Sequence, residues 1–216
     1  MVDEGLLQFG LRAFVTLFVV VDPLGVAPMF VALTAELDDV RKRATLSRAV
    51  AAAFGIAMFF LLGGGFLLSY LGVTVDAFAI SGGVLLFIAA VPMLFGQRTR
   101  LQAPEISEQR VAGEDIAIFP LAIPLLSGPG AIASVLLLTN QARGDTARLA
   151  LFAVVIVAVY AISWAVLAAA DRVMARLGAA KVHIITRVLG IVLAALAVQY
   201  ILSGLAGFYA TLTGAR

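Results

Sequence analysis

The stretch LLQFGLRAFVTLFVVVDPLGVAPMFVAL, Leu6–Leu33, decides the fold of this chain. A helix needs roughly 20 apolar residues to cross the hydrocarbon core of a bilayer, and this stretch is long enough. It nevertheless carries a carboxylate, Asp22, and two prolines, Pro23 and Pro28, in its interior. A proline inside a helix removes a backbone donor and clashes with the carbonyl four residues back. The stretch therefore predicts a membrane-spanning helix that is broken near Asp22.

The rest of the sequence contains further apolar runs of spanning length. They are Ala49–Leu71, Ala77–Phe95, Ile116–Leu138, Leu149–Ala170 and Val188–Leu212. With 62% hydrophobic residues, 13% charged residues and a mean hydropathy of +1.08, the chain has more apolar surface than a soluble domain of 216 residues buries. The runs lack the period-two alternation of transmembrane β-strands. We therefore predict an all-α integral membrane protein with six transmembrane helices.

The composition argues against several other classes of protein. The chain has no cysteine and one histidine, His183, which we interpret as part of a polar connection, so no metal site and no cofactor is expected. Its basic residues are scattered over the loops and form no stripe for nucleic acid. The acidic start, MVDEGLL, differs from a secretory signal, so we interpret the first run as part of the mature protein.

The distribution of lysine and arginine predicts the orientation in the membrane. Cytoplasmic loops retain positive charge during insertion. With the N-terminus outside, eleven basic residues fall on the cytoplasmic side and four on the other, so we expect both termini at the external, periplasmic face of a bacterial inner membrane. The eleven are Arg41, Lys42, Arg43, Arg48, Arg98, Arg100, Arg110, Arg172, Arg176, Lys181 and Arg187, and the four are Arg12, Arg143, Arg148 and Arg216.

The two halves of the chain resemble each other weakly. A shift of 105 positions aligns Val21–Thr34 with Leu126–Thr139, although chance matching between apolar segments is the alternative. Each half holds three predicted helices, and an odd number places two copies in opposite orientations. We therefore predict two inverted three-helix repeats, residues 1–110 and 111–216, within one transmembrane domain.

Both repeats carry a break at a corresponding place. The first and fourth segments are interrupted by DPLG and by SGPG, and backbone groups freed in hydrocarbon persist only where protein or an aqueous cavity covers them. Paired breaks of this re-entrant type indicate a substrate site near the membrane midplane. The predicted substrate-binding residues are Asp22, Pro23, Gly25, Pro28, Ser127, Gly128, Pro129 and Gly130.

The breaks also predict the chemistry of that site. New half-helices are expected to begin near Val26, with Pro28 in the first turn, and near Ala131, and their unpaired N–H groups would attract a carboxylate. Placing a charged Asp22 at membrane depth costs about 2.5 to 3.5 kcal/mol, which favours a functional role for this residue. Asp22 would accept a substrate ammonium or carry a proton. A zwitterionic amino acid suits both groups. The simpler alternatives are that Asp22 and Ser127 only cap the half-helices that follow them.

Glycines inside the apolar runs have a simpler interpretation. Gly63–Gly65, Gly82 and Gly83 are typical of close helix packing, because small residues let membrane helices approach each other. The triplet packs either within one chain or between chains, so a homo-oligomer is one of the arrangements that the sequence allows.

Three motifs, DPLGVAPMF, PLAIPLLSGPGAIAS and RVLGIVLAALAVQYILSGL, resemble the MarC family of neutral amino acid transporters, which is related to the LysE superfamily of exporters. The resemblance covers nearly the whole chain. It implies an inner-membrane protein of a bacterium or archaeon that transports small amino acids such as glycine or alanine. The family's first motif often has Asn at the positions of Asp22 and Val26, which argues against an obligatory proton relay through Asp22.

Three other functions compete with secondary transport. An intramembrane enzyme lacks a second buried carboxylate and a base near Ser127, so we expect no enzyme activity. A channel or an exporter of another small metabolite uses the same kind of broken helix. A membrane scaffold or regulator would leave the paired breaks unexplained. No nucleotide-binding loop is present, so the energy for transport is expected from a gradient, which includes that of protons.

Overall fold

The structure is a computed structural model that describes residues 5–95 and 115–213. Within these ranges every regular element is helical and no strand occurs, which confirms the all-α fold. Four residues of the charge count, Arg98, Arg100, Arg110 and Arg216, lie outside the described residues, as does the predicted repeat boundary after residue 110.

The helices follow the order of the predicted runs. They are α1 (Leu6–Val21), α2 (Pro23–Leu33), α3 (Asp39–Tyr70), α4 (Val75–Phe95), α5 (Pro129–Gln141), α6 (Thr146–Ala168) and α7 (Ala170–Leu212). The described part contains five stretches that are long and apolar enough to cross a membrane. These are Leu6–Leu33, Asp39–Tyr70, Val75–Phe95, Thr146–Ala168 and Ala180–Leu212. A bent pair of elements, Ala117–Leu126 and Pro129–Gln141, makes a sixth if it is counted as one span.

The fourth predicted run is not a regular helix throughout. Its first half, Ala117–Leu126, is a π-helical segment in which Phe119 and Ile123 have extended backbone angles. We call it the proline segment, because it contains Pro120 and Pro124. It meets α5 at an angle of 55°. The predicted break in the fourth segment is confirmed, and it extends through this half of the run, since two prolines four residues apart remove two backbone donors from one helical turn.

Two helices extend well beyond their apolar runs. The 32 residues of α3 extend over about 48 Å, which exceeds a hydrocarbon core of about 30 Å, so its charged first turns reach past the membrane. These turns are stabilised by Asp38, whose carboxylate accepts the N–H of Arg41 at 2.8 Å. Helix α7 begins at Ala170 and changes direction at Gly178, where φ is 72°. The predicted start at Val188 was wrong, because polar helical turns precede the apolar span.

One end of the bundle is marked by contacts of the basic first turns of α3, and we call it the basic end. The Nζ of Lys42 lies 2.5 Å from a carboxylate oxygen of Asp171, near the start of α7. Arg48 forms an ion pair with Asp115, just before the proline segment. The start of α3, the start of α7 and the residues just before the proline segment therefore meet at one end of the bundle, and these three places adjoin the connections that the charge count assigns to one side.

The opposite end is marked by a different group of contacts. The guanidinium of Arg12, in α1, donates to the side chain of Gln141 at the end of α5, with an N···O distance of 2.7 Å. Arg143, in the next loop, lies over Gly65 near the end of α3. Residues 71–74 connect α3 to α4 at this end.

The closest helix contact joins α4 and α7, which run antiparallel. A Cβ at Gly83 would lie 2.7 Å from the carbonyl oxygen of Ala197, and one at Gly204 would lie 2.6 Å from that of Asp76. Gly190 makes a similar approach to the last turn of α4. The interpretation of Gly83 as a packing residue is confirmed, because any side chain there would separate the two backbones.

The glycine triplet of α3 packs unevenly. Gly64 contacts Leu136 of α5 and Gly65 contacts Arg143, whereas a Cβ at Gly63 would meet only the ring of Phe59. Two of the three glycines therefore make contacts within the chain.

Large apolar side chains cover both the core and the outer surface. The main core lies between α1, α2, α3 and α6 and includes the fully buried Phe9, Phe30 and Phe152. On the outer face of α3, Leu62 is 79% exposed and Phe66 is 77% exposed. Since these outward residues lie in the middle of an apolar span, the bilayer is the solvent that they suit.

A candidate substrate cavity at a broken helix

The first break consists of a single residue, Asp22, between α1 and α2. Its backbone is left-handed, with φ 43° and ψ 62°, a conformation that Asp and Asn adopt more readily than most residues. Its N–H donates to the carbonyl of Phe18 at 3.0 Å and so closes α1. Its carboxylate accepts the N–H of Gly25 at 3.0 Å and so caps α2. The interpretation of Asp22 as a helix cap is therefore confirmed.

The cap explains why α2 begins earlier than expected. Its first residue is Pro23, three positions before the predicted start at Val26, because a proline suits the first helical position after a capping Asp. Pro28 consequently lies inside α2 and not in its first turn. Having no N–H, Pro28 leaves the carbonyl of Leu24 without its helical donor. Gly25 is required at its position, since a Cβ there would collide with the Asp22 carboxylate.

A cavity of about 140 Å³ adjoins this break. Three polar side chains line it: Asp22, His183 and Thr186. The remaining lining comes from α1, α2, α4, α7 and the end of the proline segment, and is mainly apolar. It consists of Val20, Val21, Gly25, Val26, Pro28, Met29, Ala89, Pro92, Met93, Leu125, Val182 and Leu193. The arrangement suits a small solute that is polar at one end.

The cavity places a carboxylate in an apolar setting. Asp22 is only 9% exposed, and within the described residues no cation lies at ion-pair distance from it. Measured along the helix at 1.5 Å per residue, Asp22 lies about 24 Å from Leu6 and about 17 Å from Leu33, well inside the span. A carboxylate held at such depth without a cation favours a positively charged group in a ligand.

His183 is the main functional candidate that the sequence interpretation missed. It lies on α7 and lines the exposed rim of the cavity, so its placement in a polar connection was wrong. Thr186 lies one helical turn further on, and Leu193 two turns beyond that, on the same face. This spacing was visible in the sequence, but it could be interpreted as a cavity lining only once the helix was known to begin before residue 183.

The second break is built around Ser127. The hydroxyl of Ser127 donates to the carbonyl of Ala53 in α3 at 3.4 Å, and the hydroxyl of Tyr160 in α6 donates to the carbonyl of Leu126 at 3.3 Å. Helix α5 is preceded by Gly128 and has no side-chain cap. Ser127 is thus a bridge to α3 and not the cap that the simpler alternative proposed.

Helix α5 begins at Pro129, two residues before the predicted start at Ala131. Its second residue, Gly130, packs between α1 and α4: a Cβ there would lie 2.7 Å from a methyl carbon of Leu86 and 3.5 Å from one of Val20. The start of α5 therefore lies against the last turn of α1, which also lines the cavity.

The structure does not bring the eight predicted site residues together in one cavity. Asp22, Gly25 and Pro28 line the cavity, and Pro23 is buried behind them. Gly130 packs against α1 and α4, whereas Ser127 faces α3 and α6. Gly128 and Pro129 do not line the cavity.

An all-helical chain with this many apolar helices, and with a cavity at a break in one of them, defines a polytopic integral membrane protein. The chain belongs to the MarC family: the model described as MarC family integral membrane protein matches residues 7–209. The resemblance inferred from the three motifs is thereby confirmed.

Curated relatives match over most of their length. A UPF0056 membrane protein of Archaeoglobus fulgidus is 37% identical over 204 residues, covering 94% of each chain. UPF0056 membrane protein MJ1677 of Methanocaldococcus jannaschii is 33% identical, covering 93% of this chain and 98% of the relative. UPF0056 membrane protein YvbG of Bacillus subtilis is 30% identical, covering 95% and 98%. No solved structure matches the chain.

Proposed function

We propose that this protein is a secondary transporter that moves a small neutral amino acid of the glycine or alanine class, or a similar small metabolite, across the inner membrane without changing it chemically. The observation that carries the proposal is the cavity at the first break, where a buried carboxylate meets an interrupted backbone. Its 140 Å³ is well below the roughly 300 to 1,000 Å³ of sites for drug-sized ligands, so it suits a solute of few atoms.

The chemistry of the break suits an ammonium group. The Asp22 carboxylate uses one oxygen to accept the N–H of Gly25, and its second oxygen and its charge are available to a ligand. The carbonyl of Leu24, freed by Pro28, is a further acceptor one turn away. The hydroxyl of Thr186 and the imidazole of His183 line the same cavity and supply donors for a carboxylate.

The N-terminus of α5 is a second partner for the substrate carboxylate in this proposal. Its first N–H groups have no intrahelical acceptor, and its positive dipole end favours an anion. Gly130 brings this end to the last turn of α1. The residues from Ser127 to Gly130 do not line the cavity in the conformation described, so in this proposal they reach the substrate carboxylate only through their backbone, since the Ser127 hydroxyl is used by α3.

Alternating access is proposed to use two inverted repeats that together cross the membrane six times. Several features support this arrangement. The described helix ends alternate between the basic end and the opposite end along the chain. The half-helices α2 and α5 both begin with a proline, Pro23 and Pro129. A shift of 105 residues places α4 within α7, and these two helices pack antiparallel, as inverted copies should.

The cavity lies towards the basic end, because Pro92 and Met93 from the last turns of α4 and His183 from the early turns of α7 line it. By the excess of positive charge, this end is proposed to face the cytoplasm and both termini the exterior. The conformation described is then open inward. Asp22 is proposed to carry a coupling proton when no substrate ammonium occupies the cavity.

The proposal is tested by counterflow of labelled alanine and glycine in liposomes containing the purified protein. Asp22→Asn is expected to keep the helix cap, because Asn caps as well as Asp, but to lose exchange. Asp38→Asn is the matched control: Asp38 also caps a helix, but it does not line the cavity, and the variant is expected to keep full exchange.

Each result has a defined meaning. Loss of exchange in Asp22→Asn alone supports recognition at the first break. Retention of exchange with loss of proton-driven accumulation assigns the Asp22 charge to coupling. Flux that never saturates and shows no counterflow would indicate a channel. No flux from folded, inserted protein would refute transport of these amino acids.

A further inference from the structure

A second cavity, of about 230 Å³, lies at the opposite end of the bundle. It is enclosed by the last turns of α3, the first residues of α4 and the C-terminal half of α5, and it shares no lining residue with the first cavity. Its polar lining consists of Ser69, Thr74, Thr139, Asn140 and Arg143. No carboxylate lines it, so its charge is positive, in contrast to the first cavity.

Thr139 supplies the first sign that the cavity binds a ligand. Its hydroxyl oxygen is enclosed and has no hydrogen-bond partner within the described residues. The residue aligned with it in the first half, Thr34, donates to the carbonyl of Phe30 at 2.7 Å. Thr139 does not make the equivalent hydrogen bond to a backbone carbonyl of α5. Because buried hydroxyls nearly always have a partner, this hydroxyl is a donor whose partner is still to be identified.

Arg143 supplies the charge. A Cβ at Gly65 would lie 3.2 Å from a terminal nitrogen of the guanidinium, so the absence of a side chain there lets Arg143 lie against α3. The guanidinium forms no ion pair within the described ranges. The nearby Asp145 is already engaged, since it accepts the N–H of Ala147 at 2.9 Å and pairs with Arg148 at 3.2 Å.

We propose that this cavity is an oxyanion site that binds the carboxylate of a small solute, held by the guanidinium fork of Arg143 and the hydroxyl of Thr139. A guanidinium binds carboxylate and phosphate with the same geometry, so a free phosphate or a lipid headgroup phosphate would meet the same donors. The choice of a solute carboxylate rests on the proposed transport function. The site is then a loading position at the end of the bundle away from the Asp22 cavity.

The test uses the absence of cysteine from the sequence. Ser69→Cys places a single thiol in the cavity wall, and its rate of reaction with a water-soluble maleimide is measured in nanodiscs of digalactosyldiacylglycerol, a bilayer lipid without phosphate. Alanine and acetate are each expected to slow the reaction several-fold, and alaninamide, which lacks the carboxylate, to leave it unchanged. Inorganic phosphate, and nanodiscs that contain phosphatidylglycerol, form the two arms for the other sources.

Variants assign the effect to the named donors. In the Ser69→Cys background, Arg143→Gln is expected to abolish protection, Arg143→Lys to retain part of it because the charge remains without the fork, and Thr139→Val to weaken it. Arg148→Gln is the matched control at the same end and is expected to keep full protection, because Arg148 is paired with Asp145. Circular dichroism in the nanodiscs verifies that each variant is folded.

Three results would overturn the proposal: equal protection by alanine and alaninamide, protection by phosphate or by phosphatidylglycerol but not by acetate, and no protection by any probe. Counterflow of the same variants, reconstituted in liposomes, separates this inference from the transport function. Protection without counterflow would support the oxyanion site and refute transport of these amino acids. Counterflow without protection would support transport and refute the oxyanion site.

Discussion

Replacing Asp22 by Ala, Gly and Asn separates the backbone role of this residue from its charge. All three variants lack the carboxylate, so any difference among them comes from the left-handed conformation and from the cap on α2. Alanine in the left-handed region costs about 1 to 2 kcal/mol, and loss of the cap costs about 1 kcal/mol more. We therefore expect Asp22→Ala to lower the free energy of unfolding by about 2 to 3 kcal/mol relative to Asp22→Asn.

Glycine gives the intermediate result. It adopts the left-handed conformation without strain and loses only a few tenths of a kcal/mol as a cap, but it adds about 0.5 to 1 kcal/mol of unfolded-state entropy. The expected loss for Asp22→Gly is about 1 kcal/mol, which leaves Ala lower than Gly by about 1 to 2 kcal/mol. Unfolding by SDS in mixed micelles, followed by circular dichroism, measures each value. An Asp22→Ala variant as stable as Asp22→Gly would refute the assignment of a strained one-residue break.

Three further predictions concern packing, the second break and orientation. Gly83→Leu is expected to prevent stable folding, because the added carbon starts 2.7 Å from a backbone oxygen of α7. Gly63→Leu should fold normally in detergent thermal-shift assays, because the added carbon meets only the ring of Phe59, at 3.9 Å. Tyr160→Phe removes a buried hydrogen bond of 3.3 Å to the carbonyl of Leu126 at the second break, and it should lower the free energy of unfolding in SDS by about 1 kcal/mol. An unchanged unfolding midpoint would contradict a stabilising role for this hydrogen bond. In intact cells, an impermeant maleimide should label Thr213→Cys directly and Arg43→Cys only after permeabilisation; the reverse pattern would invert the proposed orientation.

Most of the fold was predictable because the bilayer imposes a strong length rule. The apolar runs locate the spanning helices, and the glycines of α4 identify a packing face that the structure confirms at Gly83. The ends of the helices were less predictable. Charged turns at the start of α3 and α7 continue their helices past the membrane, and hydropathy carries no signal for a helix that leaves the lipid.

The candidate site was predictable only in part. Asp22 was found because a carboxylate and a proline stand together inside an apolar run, and this combination has few structural explanations. His183 was missed because its place on the cavity rim depends on how α7 packs against α2 and α4, and that packing is a long-range property. The two breaks also differ more than their similar motifs indicate. The first is the single left-handed residue Asp22, whereas the second includes the ten-residue proline segment as well as Ser127.

The glycine contacts between α4 and α7 constrain how the molecule can move. Displacement of one helix along the other by a single turn, about 5.4 Å, would bring side chains to the points where the backbones now touch. We therefore expect the pair to move as one rigid body and any rearrangement to pivot elsewhere. Asp22 is the hinge that we expect, since this single residue separates two helices inside one membrane span and lines the cavity that α4 and α7 also line.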